Sequence, residues 1–187
     1  MGEHSIVILA SGSGTLAQAL IDAVVKNDLD CEISAIISDK QSKVLERAKK
    51  HDITNFYLPI SKDRSEWDVK LLDLVSKLKP DLVVSAGFMR ILAPEFVSRF
   101  DCINSHPSLL PSFPGAHAVR DALAAGALQT GCTVHWIDAG IDTGPIIGQI
   151  PMPIYPTDSE ETLHERIKIA ERALIVETVS ALLADKH

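Results

Sequence analysis

Apolar and polar positions alternate in blocks along the first half of the chain, and the blocks predict strands and helices in turn. Residues 6–10 form a continuous apolar run, which is typical of a strand buried on both faces of a sheet. Helical spacing of apolar residues follows, and Pro80 ends a later helix whose apolar face begins at Trp67. The pattern predicts strands at 6–10, 33–38, 82–86 and 102–104, with helices between them that include 43–50. Strands separated by helices indicate βαβ units and a mostly parallel sheet.

The pattern changes after residue 104, where prolines at 107, 111 and 114 exclude regular structure. A short helix is predicted at 119–125, followed by strands at 132–137 and near 145–150. The short loop 138–144 between these strands favours an antiparallel hairpin that extends the sheet. A capping-box-like start at 157–161 opens a last helix that runs to about Ala184. We therefore expect an α/β fold of one domain over 1–187, three-layered and Rossmann-like, with a mixed, mostly parallel sheet.

Composition narrows the classes of function. The 187 residues carry 18 Lys and Arg against 25 Asp and Glu, a net charge of −7, which argues against nucleic-acid and membrane-surface partners. Three widely spaced cysteines without a CxxC motif, at 31, 102 and 132, favour a reduced chain over a disulfide framework. We see neither a signal-peptide pattern nor an apolar run approaching 18 residues. A cytoplasmic protein is expected.

A glycine-rich loop follows the first predicted strand. In open α/β sheets ligands bind beyond the carboxyl ends of the strands, and Gly12, Ser13, Gly14 and Thr15 stand there, before a helix. Such a loop lets backbone N–H groups and the helix dipole hold a phosphate. The spacing from Gly12 to Ala17 also fits a dinucleotide-binding pattern, with Asp39 as a ribose partner. The residues alone leave open which phosphate compound binds, and they also allow a tight turn without a ligand.

A second group of polar residues suits attack on a carbonyl. Asn104 and His106 are two positions apart, so they share one side of an extended chain. The amide can stabilise an oxyanion and the imidazole can move or stabilise a proton, while Asp142 can orient the imidazole or hold a water. We find no Ser or Cys in the setting of a nucleophile, so direct attack by a substrate amine is the simpler route. A structural role for His106 remains the alternative.

A zinc site is the other reading of the histidines. His117, His135 and Cys132 could be the ligands of such a site, but no motif of closely spaced ligand pairs in the sequence supports this. We expect no metal.

Taken together, the motifs resemble the formyltransferases that use 10-formyltetrahydrofolate. The resemblance runs from about residue 6 to the last helix and rests on these segments: Ser-Gly at 11–15, GFMRIL at 87–92, NSHPSLLP at 104–111, FPG at 113–115 and DTGPI at 142–146. It implies transfer of a formyl group from 10-formyltetrahydrofolate to the amine of glycinamide ribonucleotide, in purine synthesis. It further implies a phosphate-binding half, 1–100, and a catalytic and folate-binding half, 101–187.

The resemblance also implies a role for each matching residue. The catalytic residues would be Asn104, His106 and Asp142. The substrate would be held by the loop from Gly12 to Thr15 and by Glu171, near the ribose or the amine. The folate would contact Arg64, Met89, Arg90, Ile91, Leu92 and Asn104, with its pterin on the backbone of 138–142.

Two positions depart from the family pattern, and other functions remain to be weighed. Leu16 stands where the family often has Asn, and Lys168 where other members have Gln. Methionyl-tRNA formyltransferase normally adds an RNA-binding domain, and formyltetrahydrofolate hydrolase an N-terminal regulatory domain, so we expect neither. A nicotinamide-dependent oxidoreductase would explain the glycine loop but would leave Asn104 and Asp142 unused, and a non-catalytic binding protein is a third possibility. We expect a monomer or a homodimer.

Overall fold

The computed structural model describes residues 4–186, so positions 1–3 and 187 of the expected domain lie outside the described residues. The strands are β1 (Ser5–Ala10), β2 (Glu32–Ser38), β3 (Asn55–Tyr57), β4 (Leu82–Ser85), β5 (Cys102–His106), β6 (Gln129–Trp136) and β7 (Ile146–Pro153). The helices are α1 (Thr15–Val25), α2 (Lys43–Lys50), α3 (Arg64–Leu78), α4 (Pro94–Arg99), α5 (Ala118–Ala124) and α6 (Glu160–Ala184).

All seven strands form one sheet in the order β3-β2-β1-β4-β5-β6-β7. Strands β1 to β5 pair in parallel, whereas β6 and β7 are antiparallel to their neighbours. The order reverses at β1, because the chain reaches β2 on one side of it and β4 on the other. A crevice therefore opens beyond the carboxyl ends of β1 and β4, where ligands bind in folds of this kind.

Two apolar cores lie on the two faces of the sheet and make the fold three-layered, as expected. On the first face, α1, α2, α5 and α6 cover residues such as Ile8, Val84 and Ile103. On the second face, α3 and α4 pack Trp67 and Phe96 against alternate residues of the same strands. Alternation along each strand thus decides which layer a side chain joins.

The last helix begins as its capping pattern predicts. The Ser159 side chain accepts a hydrogen bond from the N–H of Thr162, whose own side chain accepts from the N–H of Ser159. This helix spans 25 residues and buries its apolar positions against the sheet. Within residues 4–186, no helix is long and apolar enough to cross a membrane.

The structure differs from the expected elements at three places. It adds β3 and α4, which are only 3 and 6 residues long; Pro94 suits the first position of α4, where no helical N–H is needed. It also extends the short strand expected at 102–104 as far as His106, which pairs with Thr133 of β6. His106, which we expected beyond the strand, is therefore held within it together with Asn104. The antiparallel hairpin around 138–144 is confirmed.

Candidate active site

The loops that leave β1 and β4 are tied together at the edge of the crevice. The N–H of Ser11 donates to the carbonyl of Gly87 (3.1 Å), and the Ser11 hydroxyl accepts from the N–H of Met89 (2.9 Å). The glycine loop and the segment after β4 consequently form one surface.

The glycine loop is supported by α2. Gly14 has a φ of 71°, and a Cβ added there would lie 2.4 Å from Val44 Cγ2, so both the backbone conformation and the space require glycine. Arg47 Nε donates to the carbonyl of Ser13 (2.8 Å). Because C=O and N–H point in opposite directions across a peptide plane, this bond aims the N–H of Gly14 away from Arg47. A Cβ added at Gly12, by contrast, would have no neighbouring atom within 4 Å, so there is open space beside this residue.

Asn104 stands in a row of polar side chains that crosses three strands on the second face of the sheet. Ser85 of β4 lies directly beside Asn104, and its hydroxyl donates to Asn104 Oδ1 (2.8 Å). His135 of β6 is the partner of Asn104 on the other side, with 3.3 Å between Asn104 Nδ2 and His135 Nε2. The amide is therefore held from both sides.

His106 is buried and has an oxygen acceptor at each ring nitrogen. Its Nε2 lies 2.8 Å from the carbonyl of Phe113, and its Nδ1 lies 3.4 Å from Asp142 Oδ2. A carbonyl oxygen cannot donate, so Nε2 carries a proton. Nδ1 faces a carboxylate, so any proton on Nδ1 would have Asp142 as its acceptor.

Asp142 joins the site from the loop between β6 and β7. Its backbone has a φ of 54°, and its carboxylate accepts from the N–H of Gly115 (2.8 Å). Burial raises the pKa of the Asp142 carboxyl, but the hydrogen bond from His135, the N–H of Gly115 and the two nearby imidazoles outweigh it, so the pKa lies below its ordinary value. Asp142 is consequently ionised at neutral pH.

The loop around Asp142 has an internal frame of hydrogen bonds. Asp138 Oδ1 accepts from the N–H of Gly140 (2.9 Å) and from the Thr143 hydroxyl (2.7 Å). A Cβ at Gly144 would lie 1.8 Å from the carbonyl of Trp136, so a side chain there would displace the loop from the end of β6. These contacts set the position from which Asp142 reaches His106.

His135 is a site residue that the sequence reasoning missed, since we treated it only as a doubtful zinc ligand. Its Nδ1 lies 2.8 Å from the carbonyl of Trp136, and its Nε2 lies 3.5 Å from Asp142 Oδ1. The available signal was the alternation of β6: apolar Cys132 and Val134 face one core, which places His135 with Thr133 on the other face.

The residues expected to contact folate lie together on the second face. The Arg64 guanidinium donates to the carbonyl of Ile91 and stands 4.9 Å over the Trp67 ring. Met89 and Ile91 are 62% and 55% exposed, and exposed apolar side chains grouped beside a crevice are typical of a ligand-binding groove. Leu92, however, is buried in the core, so only its backbone can face a ligand.

Arg90 pairs with Asp39, which we considered from the sequence as a ribose partner. Its Nε lies 2.6 Å from Asp39 Oδ2, and the Asp39 side chain is fully buried. Asp39 therefore anchors Arg90 and the segment after β4. The buried pair disfavours Asp39 as a ribose partner, on which the dinucleotide alternative depended.

Glu171 lies on the first face of the sheet, and so do Leu16 and Lys168, the two positions that depart from the family pattern. Glu171 is buried on α6 and accepts from the Ser105 hydroxyl (2.8 Å); burial raises the pKa of its carboxyl. Leu16 packs in the apolar core, and Lys168 Nζ pairs with Glu165 (2.7 Å) on the same helix. Glu171 thus shares a face with α1, which starts at the glycine loop, and not with Asn104 and His106.

The residues considered for zinc do not converge. Cys132 faces the first core, whereas His135 faces the opposite side of the sheet, and His117 is exposed at the start of α5. Over residues 4–186 we find no group of three or more His, Cys, Asp and Glu side chains that could hold a metal ion.

Comparison with known proteins bears on this arrangement. Residues 4–179 match the family model described as formyl transferase. Phosphoribosylglycinamide formyltransferase of Mycobacterium tuberculosis is 49% identical over 181 residues, which cover 95% of this chain and 84% of the relative. The crystal structure of phosphoribosylglycinamide formyltransferase from Bacillus halodurans superposes with a TM-score of 0.93 at 37% identity, over 98% of this chain and 97% of that one.

A formyltetrahydrofolate deformylase from Pseudomonas syringae pv. tomato also has this fold. Its crystal structure superposes with a TM-score of 0.93 at 30% identity, and the match covers 98% of this chain but only 62% of the deformylase. The identity is higher for the Mycobacterium tuberculosis enzyme, and the match covers a larger share of that relative, 84%. The chain therefore belongs to the formyl transferase family, in the branch of the phosphoribosylglycinamide formyltransferases.

Proposed function

We propose that this chain transfers the formyl group of 10-formyltetrahydrofolate to the primary amine of glycinamide ribonucleotide, using Asn104, His106 and Asp142. The observation that carries the proposal is the meeting of these three side chains, from a strand and from a loop more than thirty positions later, at the carboxyl end of β5. An amide donor, an imidazole and an ionised carboxylate at one point suit attack of an amine on a formyl carbon.

The two substrates are proposed to enter from opposite layers of the fold. The glycine loop, at Gly12–Thr15, and Glu171 belong to the side covered by α1 and α6, and would hold the phosphate and the ribose or amine of the nucleotide. Arg64, Arg90 and the exposed side chains of Met89 and Ile91 belong to the side covered by α3 and α4. There, and on the 138–142 backbone, the folate would lie. In this arrangement 1–100 supplies the phosphate loop, while Asn104, His106 and Asp142 come from 101–187.

Asn104 is proposed to stabilise the oxyanion of the tetrahedral intermediate. When the amine attacks, the formyl C=O becomes C–O⁻ and a new N–C bond forms, and the intermediate then collapses with cleavage of the bond to N10 of the folate. Asn104 Nδ2 carries two N–H groups and lies 3.3 Å from His135 Nε2, so at least one N–H remains to donate to the oxyanion. The positive charge of a doubly protonated His106 would add to this stabilisation, because a charge in a water-poor site acts strongly.

Asp142 is proposed to transfer the protons of the reaction. The attacking amine becomes an ammonium centre that must lose a proton, and N10 must gain one before it leaves. An ionised Asp142, 3.4 Å from His106 Nδ1, can take the first proton through a water and return it to N10 through a water, which leaves Asp142 ionised again.

The test is the absorbance change on deformylation of 10-formyl-5,8-dideazafolate, a stable analogue, with and without glycinamide ribonucleotide. Transfer predicts deformylation that requires the ribonucleotide. Deformylation at the same rate without it would indicate a hydrolase, as the likeness to the deformylase structure allows. Tight binding of NAD with no deformylation would instead favour the oxidoreductase.

We further infer that the protein works in the cytoplasm with small-molecule partners only. All three cysteines are free and buried, and burial raises the pKa of each thiol to about 12, which suits a reducing compartment. We also predict that the protein is a monomer or a homodimer, and light scattering would test this oligomeric state.

A further inference from the structure

We infer that Ser85 is a positioning residue, which holds the side-chain amide of Asn104 with its NH2 group toward the reacting formyl oxygen. Ser85 lies on β4, opposite Asn104 in the parallel pairing, and is buried. Its hydroxyl is 2.8 Å from Asn104 Oδ1, and Ser85 itself has no place in the mechanism proposed above. The inference rests on that proposed function, since it concerns how Asn104 performs its part.

The direction of the hydrogen bonds determines the orientation of the amide. Asn104 Oδ1 lies 2.8 Å from the Ser85 hydroxyl on β4, while Asn104 Nδ2 lies on the side of β6, 3.3 Å from His135 Nε2. A hydroxyl can donate to a carbonyl oxygen, so the Ser85 hydroxyl satisfies Oδ1 and holds it toward β4. The NH2 group is then directed away from Ser85, where it can donate to the formyl oxygen.

The opposite orientation of the amide would defeat its role. A rotated Asn104 would direct Oδ1 toward the oxyanion, and that contact is repulsive. Asparagine has a broad torsion about its last bond, so nothing within Asn104 prevents this rotation. The barrier comes from the two neighbours, and Ser85 is the one that supplies a donor for Oδ1.

Ser85→Ala would leave Oδ1 buried without a donor. An unsatisfied buried acceptor is strongly unfavourable, so the amide would spend part of its time rotated, or would draw in water. We expect kcat to fall about 10-fold, with little change in the KM of either substrate, because neither the glycine loop nor the folate surface is altered.

The experiment compares Ser85→Ala, Ser85→Cys and Ser85→Thr in the ribonucleotide-dependent deformylation assay. Cys has nearly the volume of Ser but donates weakly, so we expect it to be impaired, whereas Thr restores a hydroxyl and should recover most of kcat. Thr130→Val is the matched control: Thr130 is a buried hydroxyl on β6 for which no hydrogen-bond partner is found. That variant should keep its kcat. Thermal unfolding of each variant establishes that it is folded.

A double-mutant cycle with Asn104→Ala separates positioning from packing. With Asn104 removed, Ser85→Ala should have no further effect on kcat. An equal loss in that background, full activity of Ser85→Cys beside an impaired Ser85→Ala, or an unchanged kcat in Ser85→Ala would each overturn the inference. Full activity of Asn104→Ala would instead refute the proposed function itself, so the two failures are distinguishable.

Discussion

Replacing Asp142 with Asn removes one negative charge from the active site and changes little else. Asn tolerates the left-handed backbone found at this position, and its side-chain oxygen can still accept from the N–H of Gly115. The variant loses the ionised carboxylate that faces His106 and His135. It therefore isolates the proton-handling role that we propose for Asp142.

The magnitude follows from the distance between the charges. A carboxylate 3.4 Å from a protonated imidazole is attracted by about 5 kcal/mol at an effective dielectric constant of about 20. If about half of this attraction is gained only as charge develops in the transition state, its loss lowers kcat about 100-fold. This lies at the lower end of the usual range for general acid–base catalysis.

Two measurements test this value. Steady-state deformylation of 10-formyl-5,8-dideazafolate gives kcat, and calorimetric titration of the folate analogue gives its Kd, which we expect to change little because the 138–142 backbone stays in place. Asp73→Asn, at an exposed position on α3, removes the same charge far from the chemistry and should have normal kcat. A wild-type kcat in Asp142→Asn, or a loss explained entirely by weaker folate binding, would refute the reasoning.

The low pKa of Asp142 also predicts a pH dependence of stability. Its folded pKa lies below the unfolded value, which is about 3.9. The ionised carboxylate therefore stabilises the fold above that pH, and this contribution is lost as the pH falls through the folded pKa. The stability difference between wild type and Asp142→Asn should shrink on acidification toward pH about 3, as measured by urea unfolding. A difference that grows instead would contradict the assignment.

Three further predictions concern the binding surfaces. Gly14→Ala should lower stability and raise the KM of the ribonucleotide, because its Cβ would overlap Val44; Gly12→Ala should raise that KM with stability unchanged, and equal melting temperatures of the two variants would contradict this. Glu171→Gln should raise the melting temperature by a few degrees at neutral pH, as checked by calorimetry, because it removes a carboxyl whose pKa burial raises in the folded state and which therefore costs stability above its unfolded pKa. The same variant should raise the KM of the ribonucleotide, and a lower melting temperature would count against the reasoning. Arg64→Ala should raise the KM of the folate about 10-fold with nearly normal kcat, and an unchanged KM would exclude Arg64 from the folate surface.

Local patterns in the sequence were sufficient for the layers of the fold. The apolar run at 6–10 predicts a buried strand because both of its faces must leave water, and the structure has that strand inside the sheet, between β2 and β4. The capping residues before α6 and the turn at 138–144 are equally local, and both are confirmed. β3 and α4 escaped notice because elements of three and six residues carry too few apolar positions to show a period.

The residues of the candidate site could be chosen from the sequence, but the contacts between them could not. Asn104, His106 and Asp142 could be chosen from residue type and from the family motif, because such chemistry needs those groups. Only the packed sheet decided that Ser85 and His135 flank Asn104, since that contact depends on the register between β4, β5 and β6. In the same way, the burial of Asp39 against Arg90 depends on which strands meet at the crevice. Side chains that are distant in the chain become partners through strand order and register, and neither is written in the local pattern of any one segment.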